Sequence, residues 1–154
     1  MDFASFVTGF VDGEGCFLIS FNKRSKLKSG IEVRPSFSIS QHKRNKKLVE
    51  KIHGFFRCGA MRFSRRDENY KFEVRSIHDL CTRIIPHFKQ FPLQGKKQND
   101  FQIFAEICDL IYQSKHLNSK HLRHIITESY RMNESGTRRY KQAELLRILD
   151  EMKI

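Results

Sequence analysis

The sequence predicts an α+β domain with the element order α-β-β-α-β-β-α, followed by further helices. Three observations predict it. Apolar residues alternate in four short segments, they recur at helical spacing in the stretches between, and no linker, internal repeat or low-complexity tract divides the 154 residues. A single domain over 1–154 of this length buries roughly two thirds of its unfolded surface. An apolar content of 39%, with 14 phenylalanines, supplies the core.

In chain order, a first helix runs through Phe6 and ends at Glu14-Gly15. The segment Cys16 to Phe21 then alternates, placing Phe17, Ile19 and Phe21 on one side. A polar loop, Asn22 to Gly30, carries Lys23, Arg24, Lys26 and Lys28. The next strand sets Ile31, Val33, Phe37 and Ile39 against Glu32, Arg34, Ser36, Ser38 and Ser40, with Pro35 marking a bulge or an unpaired position. A helix over about Lys43 to Phe56 buries Leu48, Val49, Ile52, Phe55 and Phe56. Ala60 to Arg66 and Asn69 to Ser76 read as a hairpin turning at Arg66-Asp67-Glu68-Asn69. Helices follow over Ile77 to Phe88, Lys97 to Gln113, Ser119 to Met132 and Arg139 to Met152.

An antiparallel sheet with helices on one face leaves its other face open. Here that face carries Arg34, Arg62, Arg66, Lys71 and Arg75, interleaved with Ser36, Ser38, Ser40 and Ser64, against only Glu32 and Glu73. With a net charge of +12 and a pI near 9.8, the chain calls for a polyanionic partner. Membrane binding is not expected, since there is no lipidation signal and no spanning apolar run. Double-stranded nucleic acid suits arginine forks and serine hydroxyls, which pair with base edges in the major groove. The loop cations, with Arg138 and Arg139 near the last helix, suit the phosphate backbone. Cys16, Cys58, Cys81 and Cys108 are scattered without paired spacing, so neither a disulfide framework nor a zinc site is expected. His116, His121 and His124 read as helix-surface or phosphate-contacting residues rather than metal ligands.

The most informative stretch is Phe6-Val7-Thr8-Gly9-Phe10-Val11-Asp12-Gly13-Glu14-Gly15. Thr8, Gly9, Asp12 and Gly13 share one helix face. Glycine inside a helix costs about 1 kcal/mol against alanine, so two on one face point to close approach by another helix. That helix is either a second copy of the same one or an internal partner such as Lys43 to Phe56. Glu14 ends the helix where the macrodipole is already negative, a conflict that a divalent cation resolves.

The segment Val7 to Gly15 resembles the LAGLIDADG motif of homing endonucleases. Phe91-Pro92-Leu93-Gln94-Gly95-Lys96-Lys97-Gln98-Asn99-Asp100-Phe101 is similar to the family's Pro-Leu, Lys-Lys, Asp-Phe segment. Lys115-His116-Leu117-Asn118, then Ile125-Ile126 and Met132-Asn133, is similar to its C-terminal helical pattern. The resemblance implies a curved four-stranded sheet lying along the major groove. With one motif copy per chain it also implies a homodimer on a pseudo-palindromic site, which agrees with a glycine face that has no second copy to meet. It makes Glu14 the ligand of Mg²⁺, with the Gly13 carbonyl as a further oxygen, although the family more often has aspartate at this position. Lys97 is the first choice for a cation stabilising the transition state, Lys96 the second, and Gln41 corresponds to a residue that orients solvent. Asp12 reads as structural.

Three functions compete: a site-specific, Mg²⁺-dependent double-strand DNA endonuclease encoded within an intron; a maturase that binds intron RNA; and a catalytically inactive DNA-binding protein. Retention of Glu14 beside Lys96-Lys97 favours the endonuclease. Relatives occur in chloroplasts and mitochondria, so an organelle is the expected compartment if the intron lies there, and otherwise an intracellular one.

Overall fold

Asp2 opens the structure as a helix cap, its carboxylate accepting from the backbone N–H groups of Ala4 and Ser5 at the start of α1 (Phe3–Glu14). Then come β1 (Gly15–Lys23), β2 (Ile31–His42), a 3₁₀ turn (Lys43–Asn45), α2 (Lys46–Phe56), β3 (Ala60–Ser64) and β4 (Asn69–Val74). The expected α-β-β-α-β-β order is therefore the observed one. The computed structural model describes residues 2–133 and 138–152. None of its helices, among the described residues, is long and apolar enough to cross a membrane.

The helix expected over 77–88 forms in three pieces: α3 (Ile77–Asp79), a π turn (Leu80–Ile84) and α4 (Ile85–Gln90). Pro86 accounts for the break, because its ring crowds the carbonyl four residues earlier and offers no N–H in return. Further on lie α5 (Lys97–Tyr112), a 3₁₀ turn (Lys115–Leu117), α6 (Ser119–Ser129) and α7 (Gln142–Glu151). Arg139 precedes α7 rather than opening it, and Arg66 lies in the 65–68 turn rather than in β3.

The four strands form one sheet in the order β1-β2-β4-β3. β2 pairs antiparallel with β4 from Phe37↔Val74 to His42↔Asn69, and β3 pairs with β4 from Ala60↔Glu73 to Ser64↔Asn69. Within the sheet and helices, contacts gather into two compact units, 1–17 with 36–98 and 18–35 with 99–154.

The first unit is built on aromatic rings. Phe37 stands 5.3 Å from Phe17, 5.6 Å from Phe88 and 5.8 Å from Phe56, centroid to centroid. Phe72 lies 6.1 Å from Phe56. These tilted, edge-on and stacked pairs hold α2 and α4 against one face of β2 and β4, and truncating one of the rings to alanine costs about 3–5 kcal/mol. Beside this cluster, Thr8 Oγ1 donates to the Phe91 carbonyl at 2.9 Å and faces His87 Nε2 at 3.0 Å, an arrangement that suits a neutral imidazole donating to the hydroxyl. In the second unit Ile107, Leu122, Ile125, Leu145 and Leu149 are buried between α5, α6 and α7. The Asn22 to Gly30 loop is a set of hydrogen-bonded turns, with Arg24 N–H on the Gly30 carbonyl at 2.8 Å and Gly30 N–H on the Leu27 carbonyl at 3.0 Å.

Burial pushes the His87 imidazole down from 6.5 to about 4, against a weaker upward pull from Asp2. Between those values the unfolded chain takes up a proton that the folded chain refuses. Stability is then fully present above pH 6.5 and falls as the pH drops toward 4. The loss amounts to about 3 kcal/mol at most. Thermal melts from pH 7 to pH 4 will show a steeper fall for the natural chain than for His87→Leu.

Candidate active site and nucleic-acid interface

The end of α1 is held by two ties of opposite charge. The Asp12 carboxylate accepts from the backbone N–H of Gln94 at 2.7 Å and of Gly95 at 3.2 Å. In return, Lys97 Nζ donates to the carbonyls of Val11 at 3.0 Å and Asp12 at 3.1 Å. The second tie puts a cation on the carbonyl end of the helix, where the macrodipole favours it. The conflict expected around Glu14 is thus offset in part by the chain's own lysine. Lys97 is half-buried and Lys96 is exposed, which separates the two candidates. Glu14 and Gly13 are exposed immediately beyond the ties. At the junction with β1, a Cβ on Gly15 would lie 2.9 Å from the Val11 carbonyl oxygen, so only glycine lets the strand leave the helix this closely.

The face expected from Thr8, Gly9, Asp12 and Gly13 divides in two. Thr8 is only 6% exposed, and its hydroxyl is engaged by Phe91 and His87, so it is not a free interface residue. Asp12 holds the 94–95 backbone, as its structural reading requires. Gly9 and Gly13 are exposed, and a Cβ built on either meets nothing within 4 Å. Packing against α2 therefore does not explain them. The strip is flanked by Phe6 and Phe10, stacked at 6.0 Å, and on its other side by a groove of about 350 Å³ lined by Ser5, Gln90, Pro92 and Gln94 among others. Sequence reasoning missed Phe6 and Phe10, although their four-residue spacing beside the glycines was a signal for them.

Gln41 stands apart. Strand parity puts it on the face of Phe37 and Ile39, where its amide donates to the Ser40 carbonyl and accepts from Asn45, both at 2.9 Å. Among the described residues no group of three or more histidine, cysteine, aspartate or glutamate side chains gathers to hold a metal. His124 pairs with Glu106 at 2.6 Å, and burial lowers the His116 pKa.

The outward face of β2, β4 and β3 in the first unit is a grid. Ser40, Lys71 and Arg62 form one cross-strand row; Ser38, Glu73 and Ala60 form the next. Arg62, Ser64, Arg66, Lys71 and Arg75 are exposed, as is Ser40. Ser36 and Ser38 are not, at 8% and 9% exposure, so their assignment to base readout is corrected. Ser38 lies directly across from Glu73, and short side chains between longer neighbours are covered. In the second unit Lys23, Arg24, Lys26, Lys28 and Arg34 are exposed, and Arg139 donates to Asn22 Oδ1 at 3.0 Å. Arg138 is partly engaged within the chain: its Nη2 donates to the carbonyls of Ser129 and Met132, and its guanidinium stacks over the Tyr130 ring at the end of α6.

The ties predict an asymmetry between the adjacent lysines. Lys97→Met will lower stability by about 1–2 kcal/mol, because charge-assisted bonds to two helix-end carbonyls are lost from a half-buried site. Lys96→Met will change it by less than about 0.5 kcal/mol. Denaturant melts of the two variants measure the difference.

Comparison with known proteins agrees with this geometry. The model of the LAGLIDADG endonuclease family matches residues 7–108. The probable intron-encoded endonuclease 2 of Neurospora crassa is 29% identical over 140 residues, covering 90% of this chain and 31% of that protein. The chain spans about a third of the length of the first curated relatives it matches. The crystal structure of the homing endonuclease I-TnaI superposes with a TM-score of 0.82 at 32% identity, covering 97% of both chains. The meganuclease I-SmaMI, bound to uncleaveable DNA, superposes with a TM-score of 0.82 at 28% identity, covering 87% of this chain and 45% of that one. With two thirds of its length under the family's model, and with the motif helix, the paired lysines and the four-stranded sheet in place, this chain belongs to the LAGLIDADG endonuclease family.

Proposed function

We propose that the protein is a site-specific, metal-dependent DNA endonuclease acting as a homodimer, with residues 1–154 working as one endonuclease domain. One observation carries the reading. The exposed carboxylate of Glu14 closes a helix whose outer face is an open glycine strip, and the helix end is fixed by Asp12 and Lys97. A second copy laid along Gly9 and Gly13 brings two such helix ends together about a two-fold axis. The coverage of less than half of I-SmaMI suits two copies of this chain in place of one longer one.

The residues fit a divalent ion. At this helix end each chain offers the exposed Glu14 carboxylate and the neighbouring Gly13 carbonyl, a sparse oxygen set that suits Mg²⁺ completed by water and phosphate. When bound, the ion supplies an activated water and stabilises charge on the phosphorus oxygens and the leaving alkoxide. Lys97 uses two of its three donor protons on the helix carbonyls, so the third is available to a water or phosphate oxygen beside Glu14. Lys96 remains the outer cation, and Gln41 orients solvent only if its amide leaves Asn45. Arg62, Arg66, Lys71 and Arg75 in one unit, and Lys23, Arg24, Lys26, Lys28, Arg34 and Arg139 in the other, serve the duplex, whose site is pseudo-palindromic. An intron of an organelle genome is the setting that suits intron-encoded relatives.

Incubating the protein with a duplex library tests the chemistry. Sequence-specific double-strand cuts in Mg²⁺, absent in Ca²⁺ or EDTA, are expected, and Glu14→Gln will lower the cutting rate at least a hundredfold, as an order of magnitude, while retaining binding. Binding without cuts in any divalent metal would sink the endonuclease reading in favour of an inactive DNA binder. Specific binding to a structured intron RNA alone would favour a maturase. Gly9→Leu addresses the dimer: the open space at its Cβ predicts a folded monomer by gel filtration and circular dichroism, and an unchanged dimer would contradict the glycine contact.

A further inference from the structure

Glu73 is an acid where the proposed duplex surface has least use for one. It sits on the outward face of β4 with Lys71, two residues earlier, and is joined there by Arg75, which directly follows the strand's last residue and meets the carboxylate. Its side chain is 7% exposed, whereas those of Lys71 and Arg75 are 46% and 49% exposed. Its cross-strand neighbours are Ser38 and Ala60, both small, which leaves room for the carboxylate to lie against the sheet. One carboxylate oxygen meets Lys71 Nζ at 3.3 Å and the other meets Arg75 Nε at 3.0 Å.

The choice of nitrogen matters. An arginine reads guanine through the fork of its two terminal nitrogens. The ion pair with Glu73 uses Nε, so the fork edge of Arg75 is fixed in direction yet free to donate. A sheet arginine without such a partner samples many rotamers and follows whichever acceptor is near, phosphate or base. A pinned one has given up that freedom before binding, and it leaves its donors unpaired against the wrong base. In the second unit only Arg34 shares this feature, its Nε lying 3.5 Å from Glu32, whereas Arg24 meets the same carboxylate through Nη1 of its fork at 2.5 Å.

We infer that Glu73 is a positioning residue for base discrimination, holding Arg75 and Lys71 from beneath so that the Arg75 fork reads one fixed base edge. It touches no nucleotide itself, and it removes one unit of the positive charge that draws any duplex. The inference rests on the endonuclease reading above.

The test is selection of a randomised duplex library in Ca²⁺, followed by measured affinities for the selected site and its single-base variants. Glu73→Gln is expected to bind random duplex as tightly as the natural chain or more so. At one base pair in each half-site, its preference for the selected base should fall about tenfold. Arg75→Lys keeps the charge, removes the fork and leaves Glu73 in place, and it should lose preference at that same base pair. The double variant should lose little more than either single one. If Glu73→Gln does not fold, the loss at one base pair in Arg75→Lys still decides. Equal weakening on every sequence, or loss at different base pairs in the two variants, overturns the inference while leaving the endonuclease reading intact. Failure of the natural chain to enrich any duplex overturns both.

Discussion

Two charges exchanged between one helix and one loop set the geometry of the site. Asp12, near the end of α1, takes the backbone N–H groups of Gln94 and Gly95, and Lys97, just beyond that loop, gives its ammonium to the Val11 and Asp12 carbonyls at the end of α1. Neither tie is strong alone. Together they bring the 94–97 segment to the helix end that carries Glu14, across more than eighty residues of sequence. Gly15 completes the arrangement, because any Cβ there would strike the Val11 carbonyl and turn the helix end away from β1.

The same helix carries three different environments around its circumference. Val7, Thr8 and Val11 are buried within the subunit, and Thr8 is anchored through His87 to the aromatic cluster. Gly9 and Gly13 are left bare on the outer side with Phe6 and Phe10 beside them, a combination that costs helix stability unless another surface covers it. Glu14, the last residue of the helix, is exposed. A single chain thus supplies the scaffold, an open glycine strip and one acid at the helix end, and in the proposed homodimer a second copy completes each of these.

Much of this was legible in the sequence. Alternation identified all four strands, through one buried face in β1, β2 and β4 and through the spacing of Met61 and Phe63 in β3, where no residue is buried, and the glycine pair with Glu14 marked the helix that matters. What escaped reading depends on neighbours that no local pattern contains. A helical wheel placed Thr8 beside Gly9, yet the nearby Phe91 carbonyl draws it inward. Parity put Ser36 and Ser38 on the outward face correctly, but parity says nothing about burial, and both are covered. Charge alone marked Arg138, and no local pattern showed that its Nη2 also binds the carbonyls of Ser129 and Met132. Glu73 was one of two acids on a basic face, and its pairing with both Lys71 and Arg75 lies beyond what a sequence pattern contains.

The most direct measurement is a crystal structure with a selected duplex and Mn²⁺, located by its anomalous scattering. The account predicts manganese within about 2.1–2.2 Å of a Glu14 oxygen from each subunit, next to the scissile phosphates, with Lys97 still on the Val11 and Asp12 carbonyls. Two Glu14 side chains far apart in solvent, with no ion between either and the DNA, would contradict it.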